Sequence, residues 1–108
     1  MFTLKQIKLN NGVTLDKSGL PLSYTCGYQV SEKDLEIIPA YRLTKKHLID
    51  MLNKLPKGAN LGVWIDNNKA YIDQSIRVLS KKYALKVGKA LNQISIYDWK
   101  TGDCIPCR

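Results

Sequence analysis

The chain has 108 residues, of which 44% are hydrophobic and 24% charged, and 17 Lys and Arg against nine Asp and Glu give a net charge of +8. These proportions exclude a disordered chain, and the length suits one domain that buries roughly two-thirds of the surface its unfolded chain exposes. The charge excludes a strongly acidic mimic of DNA and favours an acidic partner, either nucleic acid or an anionic protein surface, although a solubilising coat of lysines has the same charge count.

Lysines interrupt the opening "MFTLKQIKLNNG" where a signal peptide needs an unbroken apolar stretch, and no apolar run approaches membrane-spanning length. Three cysteines, an odd number, do not make a disulfide framework. The expected location is therefore the cytoplasm, with no membrane partner. In "FTLKQIKL" Phe2 and Leu4 share one parity and Ile7 and Leu9 the other, and the Asn-Asn-Gly at 10–12 signals a turn before "VTLD", which predicts an N-terminal hairpin. "LSYTCGYQVS" alternates with Tyr24, Cys26, Tyr28 and Val30 on one parity and predicts a third strand, with Gly27 as a bulge. "EKDLEIIPAYRL" has no clear period, and Pro39 argues against a central strand or a helix interior there.

From Thr44 the period becomes helical. Thr44 suits an N-cap, Leu48, Met51, Leu52 and Leu55 form a stripe, and Pro56 with Gly58 stops the helix. "LGVWID", "NNK" and "AYID" then predict a hairpin whose asparagines suit positive φ. Ser80 caps a second helix with Tyr83, Ala84, Val87 and Leu91 facing the sheet and Lys82, Lys86 and Lys89 facing away. Gly88 inside that helix costs about 1 kcal/mol relative to Ala, so a close contact with the sheet is expected. "QISIYDW" is a last strand and "KTGD" turns the chain out. The predicted fold class is α+β, one small domain over residues 1–108, mainly antiparallel sheet with two helices packed on one face, and 104–108 as a frayed tail.

The segments "GYQVS" (27–31), "LGVWIDNNKAYIDQS" (61–75) and "ALKVGKALNQISIYDWKTGDCI" (84–105) carry a Gly-x-Trp-x-Asp hairpin, a Tyr-x-Asp-x-Ser step, an Ala-x-x-x-Gly helix and a Gln-x-x-Ile-Tyr-Asp strand. In these the chain resembles a group of small uncharacterised proteins encoded by phages, plasmids and integrative elements. The resemblance implies a mobile-element origin and brings no catalytic residues with it. "DCIPCR" lies outside the pattern.

Asp66, Asp73 and Asp98 are the carboxylates available for acid–base or metal work, with Asp66 and Asp73 as possible neighbours across the hairpin. Each also ends a predicted strand, where aspartate commonly accepts backbone N–H groups of a turn. Cys26, Cys104, Cys107 and His47 would make a zinc site only if the fold gathered all four. The simpler expectation is a core Cys26, two exposed thiols in the tail, and His47 at the surface or capping its helix. No catalytic residue, metal or cofactor is expected.

Arg77, Lys81, Lys82, Lys86 and Lys89 are five cations with no acid between them, and Lys45 and Lys46 open the first helix as Lys81 and Lys82 open the second. Cations there oppose the helix dipole, and they gather positive charge beside N–H groups that suit an anion. These seven residues are the predicted partner-binding or phosphate-binding set, with Trp64 and Asn67 on the hairpin as a further contact. The expected function is a non-enzymatic accessory protein of a phage or mobile element that binds and inhibits a host protein or ribonucleoprotein, such as CRISPR-Cas machinery. The alternative is a basic module that contacts the DNA or RNA backbone directly.

Overall fold

The computed structural model describes residues 3–107. Their order is helix α1 (Leu4–Asn10), strands β1 (Gly12–Leu15) and β2 (Tyr28–Pro39), a 3-10 turn (Ala40–Arg42), helix α2 (Lys45–Lys54), strands β3 (Asn60–Asp66) and β4 (Lys69–Val78), helix α3 (Lys81–Ala90), and strands β5 (Ser95–Asp98) and β6 (Cys104–Pro106). The six strands form one antiparallel sheet in the order β1-β3-β4-β2-β5-β6. The class is α+β and mainly sheet, as expected.

The first element is a correction. Residues 4–10 are helical, because Thr3 accepts from the backbone N–H of Gln6 as an N-cap and Leu4 and Ile7, one turn apart, pack into the core. The split parity of the apolar residues fits this helix better than a strand. Asn11 at φ 57° caps its end, so the Asn-Asn-Gly does turn the chain, but out of a helix. Phe2 lies outside the described residues. β2 is a second departure: it starts at Tyr28, after Gly27, and runs through the stretch without a period to end on Pro39. Its register against β4 shifts between Ser31 and Lys33 and again between Asp34 and Glu36. Each shift inserts a residue and resets which parity faces inward, which erases the alternation.

β4 is regular and defines the two faces. Ala70, Ile72, Ile76 and Val78 point to the helix-bearing face and Tyr71, Asp73, Ser75 and Arg77 to the other. α1 and α2 cover one end of the first face, with Ile7, Leu48 and Leu52 against Leu61, Val63 and Ile72, and α3 covers the other end, with Ala84 against Val30 and Ile96. The predicted α2 is present, capped by Thr44 Oγ1 on the N–H of His47 at 3.1 Å. At its far end Lys17 donates through Nζ to the carbonyls of Leu52 and Leu55, the first of which also accepts the capping N–H of Leu55. The β3–β4 turn is also as expected, with Asn67 and Asn68 at φ 51° and 62°.

α3 sits one notch around from its predicted orientation. Ala84 and Gly88 are its buried residues and Leu85 and Val87 pack beside them, whereas Tyr83 and Leu91 are exposed. Gly88 explains the shift, because its missing side chain lets the helix approach the sheet until a Cβ there would stand 2.5 Å from Cys107 Sγ and 3.3 Å from Ile96 Cγ2. The tail is a further correction: residues 104–106 pair with β5 as β6, and Cys107 is buried in the α3 core. Arg108 lies outside the described residues. Of the other thiols, Cys104 is exposed and Cys26, expected in the core, is exposed as well.

Candidate functional site

Lys81, Lys82, Lys86 and Lys89 are all exposed on α3. At 100° per residue Lys82, Lys86 and Lys89 fall within about 60° of one another around the helix, and Tyr83 lies about 60° beyond Lys86. No ion pair to any of these four lysines is formed among the described residues. The helix exposes apolar surface beside them in Tyr83, while the exposed Leu91 lies on the far side of the helix from the lysines, and Leu79 just before the helix and Ile94 just after it are exposed as well. Lys45 and Lys46 occupy the first turn of α2 and are exposed.

Arg77 does not join this cluster. It is on the helix-free face of β4, where Nη2 and Nε donate to the carbonyl of Cys26 at 2.8 and 3.2 Å and the guanidinium lies 4.0 Å over the ring of Tyr24. That arginine is part of a different surface.

The helix-free face curls on itself. Trp64 of β3 and Tyr97 of β5 are separated by β4 and β2, which in a flat sheet places their strands about 14 Å apart, yet the ring centroids are 6.2 Å apart. Trp99 meets Tyr97 edge-on at 5.0 Å and Tyr24 at 5.4 Å, so four rings run along the mouth of the concavity. Beneath them the side chains are polar. Gln29 donates through Nε2 to Asn60 Oδ1 and Ser75 Oγ, both at 2.9 Å, and accepts from Trp99 Nε1 at 3.1 Å. The buried hydroxyl of Ser31 has no hydrogen-bond partner among the described residues. Asp73 sits here too, opposite Gly62 on one side and Asp34 on the other. Its carboxyl titrates at about 6 instead of its ordinary 3.8, chiefly because burial strips its water and also because the Asp34 charge lies beside it.

Asp73 thus stands mid-strand rather than at a turn, and its neighbour is Asp34, since Asp66 pairs with Lys69 at the far end of the hairpin. Asp98 does what the sequence suggested, accepting the N–H of Lys100 at 2.9 Å. Trp64 pairs with Tyr71 across the hairpin and Asn67 makes the turn beyond them. His47 combines its place in the α2 cap with a 3.0 Å contact from Nε2 to Glu36 Oε2, beside a cavity of about 360 Å³ between α2 and β2. No group of three or more His, Cys, Asp or Glu side chains able to hold a metal occurs among the described residues. No helix among them is long and apolar enough to cross a membrane.

Sequence reasoning passed over Asp34, Gln29, Tyr97 and Ser31. The one available signal was the polar parity of β4, where Asp73, Ser75 and Arg77 fall on one side and Ile72, Ile76 and Val78 on the other, with Gln74 as the single polar residue among the latter. No protein-family model, no curated protein and no solved structure matches the chain.

Proposed function

We propose that the chain is a non-enzymatic protein of mobile-element origin that binds a host protein or ribonucleoprotein in the bacterial cytoplasm and occludes its working surface, with CRISPR-Cas machinery as the target class. The resemblance set out above supports the origin and the target class. The mode of binding is supported by one observation, the exposed mixed surface of α3, where Lys82, Lys86 and Lys89 form one stripe flanked by the exposed ring of Tyr83. Three like charges one turn apart mildly destabilise a helix, and exposed apolar residues add nothing to it. Both features gain value against an acidic rim around an apolar floor, where the lysines steer encounter and the tyrosine supplies a desolvated anchor. A bare nucleic-acid backbone would use the lysines and leave the Tyr83 ring beside them without a pocket, which favours the protein-containing target.

Reversing the three lysines, Lys82→Glu, Lys86→Glu and Lys89→Glu, is expected to leave the fold intact because all three are exposed. Affinity for the partner recovered from host lysate should fall by about tenfold or more at low salt, with a shallower salt dependence. Circular dichroism and a binding titration across salt concentrations check this. A triple variant that binds as tightly as the parent with the same salt slope would exclude α3 as the contact surface. Gel shifts with DNA and RNA separate the alternative: tight, salt-sensitive binding to nucleic acid alone would replace the protein target.

A further inference from the structure

β2 has an edge that no other strand covers. β5 pairs with it only at Tyr28 and Gln29, so over residues 30–39 it has β4 on one side and, among the described residues, no strand on the other. Ala40 donates its N–H to Asn68 on the β4 side, and backbone groups alternate along a strand. The N–H and C=O of Ile37 and the C=O of Pro39 therefore point to the open side, where no described residue bonds to them. Pro39 is tolerated in the strand for the same reason, since the donor it lacks would face solvent. Beside this edge, on the helix-bearing face, lies the cavity of about 360 Å³ between α2 and β2. It opens where Gln74, the one polar residue of β4 on that face, parts the two apolar cores between Ile72 and Ile76. The Gln74 amide has one long hydrogen bond, 3.5 Å to Glu32. Leu35, Met51 and Leu55 line the cavity with apolar surface, while Glu36, paired with His47, and Asp50 line it with carboxylates against the single ammonium of Lys54. In a chain of net charge +8, the edge and this groove hold Glu32, Asp34, Glu36 and Asp50, four of its nine acids.

The geometry points to this edge as the docking site of an extended segment of a partner polypeptide, which adds a strand to β2 beside Ile37 and places a basic side chain in the groove next to Glu36. The open backbone groups supply the hydrogen bonds of strand addition, and the groove supplies the choice of side chain. Successive residues of the added strand alternate faces, so the one opposite Glu36 enters the groove and the next lies beside Ile37, whose side chain is 59% exposed on the other face. An arginine or lysine suits the first position, because its methylene stem covers Leu35 and Met51 while its head meets Glu36 and Asp50. An acidic side chain there would face two carboxylates. A second copy of this chain, antiparallel about Ile37, would bring Ile38 opposite Glu36 and leave the acids of the groove unanswered, and the net charge of +8 on each copy opposes the approach. The two register shifts and the charges upstream guard the rest of the edge, which confines the added strand to the end of β2. The lysines of α3 have no part in this site, and the inference does not depend on the reading of that helix.

The test uses the full chain and three acetylated, amidated pentapeptides, followed by amide chemical shifts in two-dimensional NMR: Thr-Val-Arg-Val-Thr, the same peptide with Glu for Arg, and the arginine peptide N-methylated at both valines. Saturable shifts of Leu35, Glu36, Ile37 and the Gln74 side-chain amide with the arginine peptide, at about millimolar concentration, are the expected result. Binding should weaken about fivefold or more with the glutamate peptide, with the N-methylated peptide and in Glu36→Gln. Asp50→Asn, at an exposed position that bears on no core contact, should weaken it about twofold, and a spectrum unaltered away from the groove shows that each variant is folded. Absence of shifts with the arginine peptide, equal binding of the glutamate or the N-methylated peptide, or undiminished binding in both variants would each overturn the assignment. So would movement of the same amides on raising the protein concentration without peptide, which would give the edge to a second copy.

Discussion

Replacing Asp73 with asparagine is expected to stabilise the fold at pH 8 by on the order of 2–3 kcal/mol and to remove most of its pH dependence between pH 4 and 6. The carboxyl titrates at 3.8 in the unfolded chain and at about 6 in the folded one, so within that interval the native state binds more protons than the unfolded state. Stability contributed by this group therefore falls as pH rises through the interval, and above about 6 the whole cost of holding an ionised, buried carboxylate is present. The displacement of about two pH steps corresponds to roughly 3 kcal/mol at most, and the rim exposure of the site reduces that somewhat. Asparagine has the same shape and no charge, so it escapes the cost. Urea unfolding of parent and variant at several pH values from 4 to 8 checks this. Equal stability at pH 8, or a variant less stable than the parent there, would show that the carboxylate has a stabilising partner in solution. Asp16 works in the opposite sense, its carboxyl held low by the Ser18 hydroxyl and by backbone N–H groups, so its contribution is lost only toward the acid end of the range.

The second large effect is expected at the contact between α3 and the last strand. Gly88→Ala improves helix propensity by about 1 kcal/mol, yet the new methyl group would press on Cys107 Sγ at 2.5 Å with Ile96 behind it. Overpacking of this kind costs about 1–3 kcal/mol, and since both neighbours are buried the net change should be destabilising, by up to about 2 kcal/mol. Cys107→Ala alone should also destabilise, by about 1–2 kcal/mol, because it empties a fully buried position. Combined, the two changes exchange one atom's volume across the interface, and the double variant should be more stable than additivity allows by at least about 1 kcal/mol. A double-mutant cycle in urea measures the coupling. Strict additivity would mean that the helix is not seated on that sulfur.

What could be read from the sequence depended on how local the cause was. α2 and the β3–β4 hairpin were legible because Thr44, the leucine stripe and the paired asparagines each act within one turn of chain. α1 was misread because its caps at Thr3 and Asn11 are weaker signals than the Asn-Asn-Gly that also suits a hairpin. β2 was obscured by its two register shifts, and β6 by being three residues long and supported wholly by contacts with β5 and α3. The same rule divides the candidate sites. The lysines of α3 follow from a helical period, whereas the Asp34–Asp73 pair exists only because β2 and β4 align in one particular register. Arg77 was grouped with the lysines through nearness in the chain, but β4 alternates sides and α3 begins only after it ends, so the two lie on opposite faces.

The curl of the sheet has a practical consequence for observing the molecule. Both tryptophans of the chain, Trp64 and Trp99, are drawn into the aromatic row at the mouth of the concavity, and none is on α3. Indole emission, excited at a wavelength where tyrosine is dark, therefore reports on one side of the sheet and ignores the other. A partner that seats on α3 alone should leave that emission unchanged, while one that reaches the concave face should quench or shift it, so a single optical titration can tell which side an unknown partner has chosen.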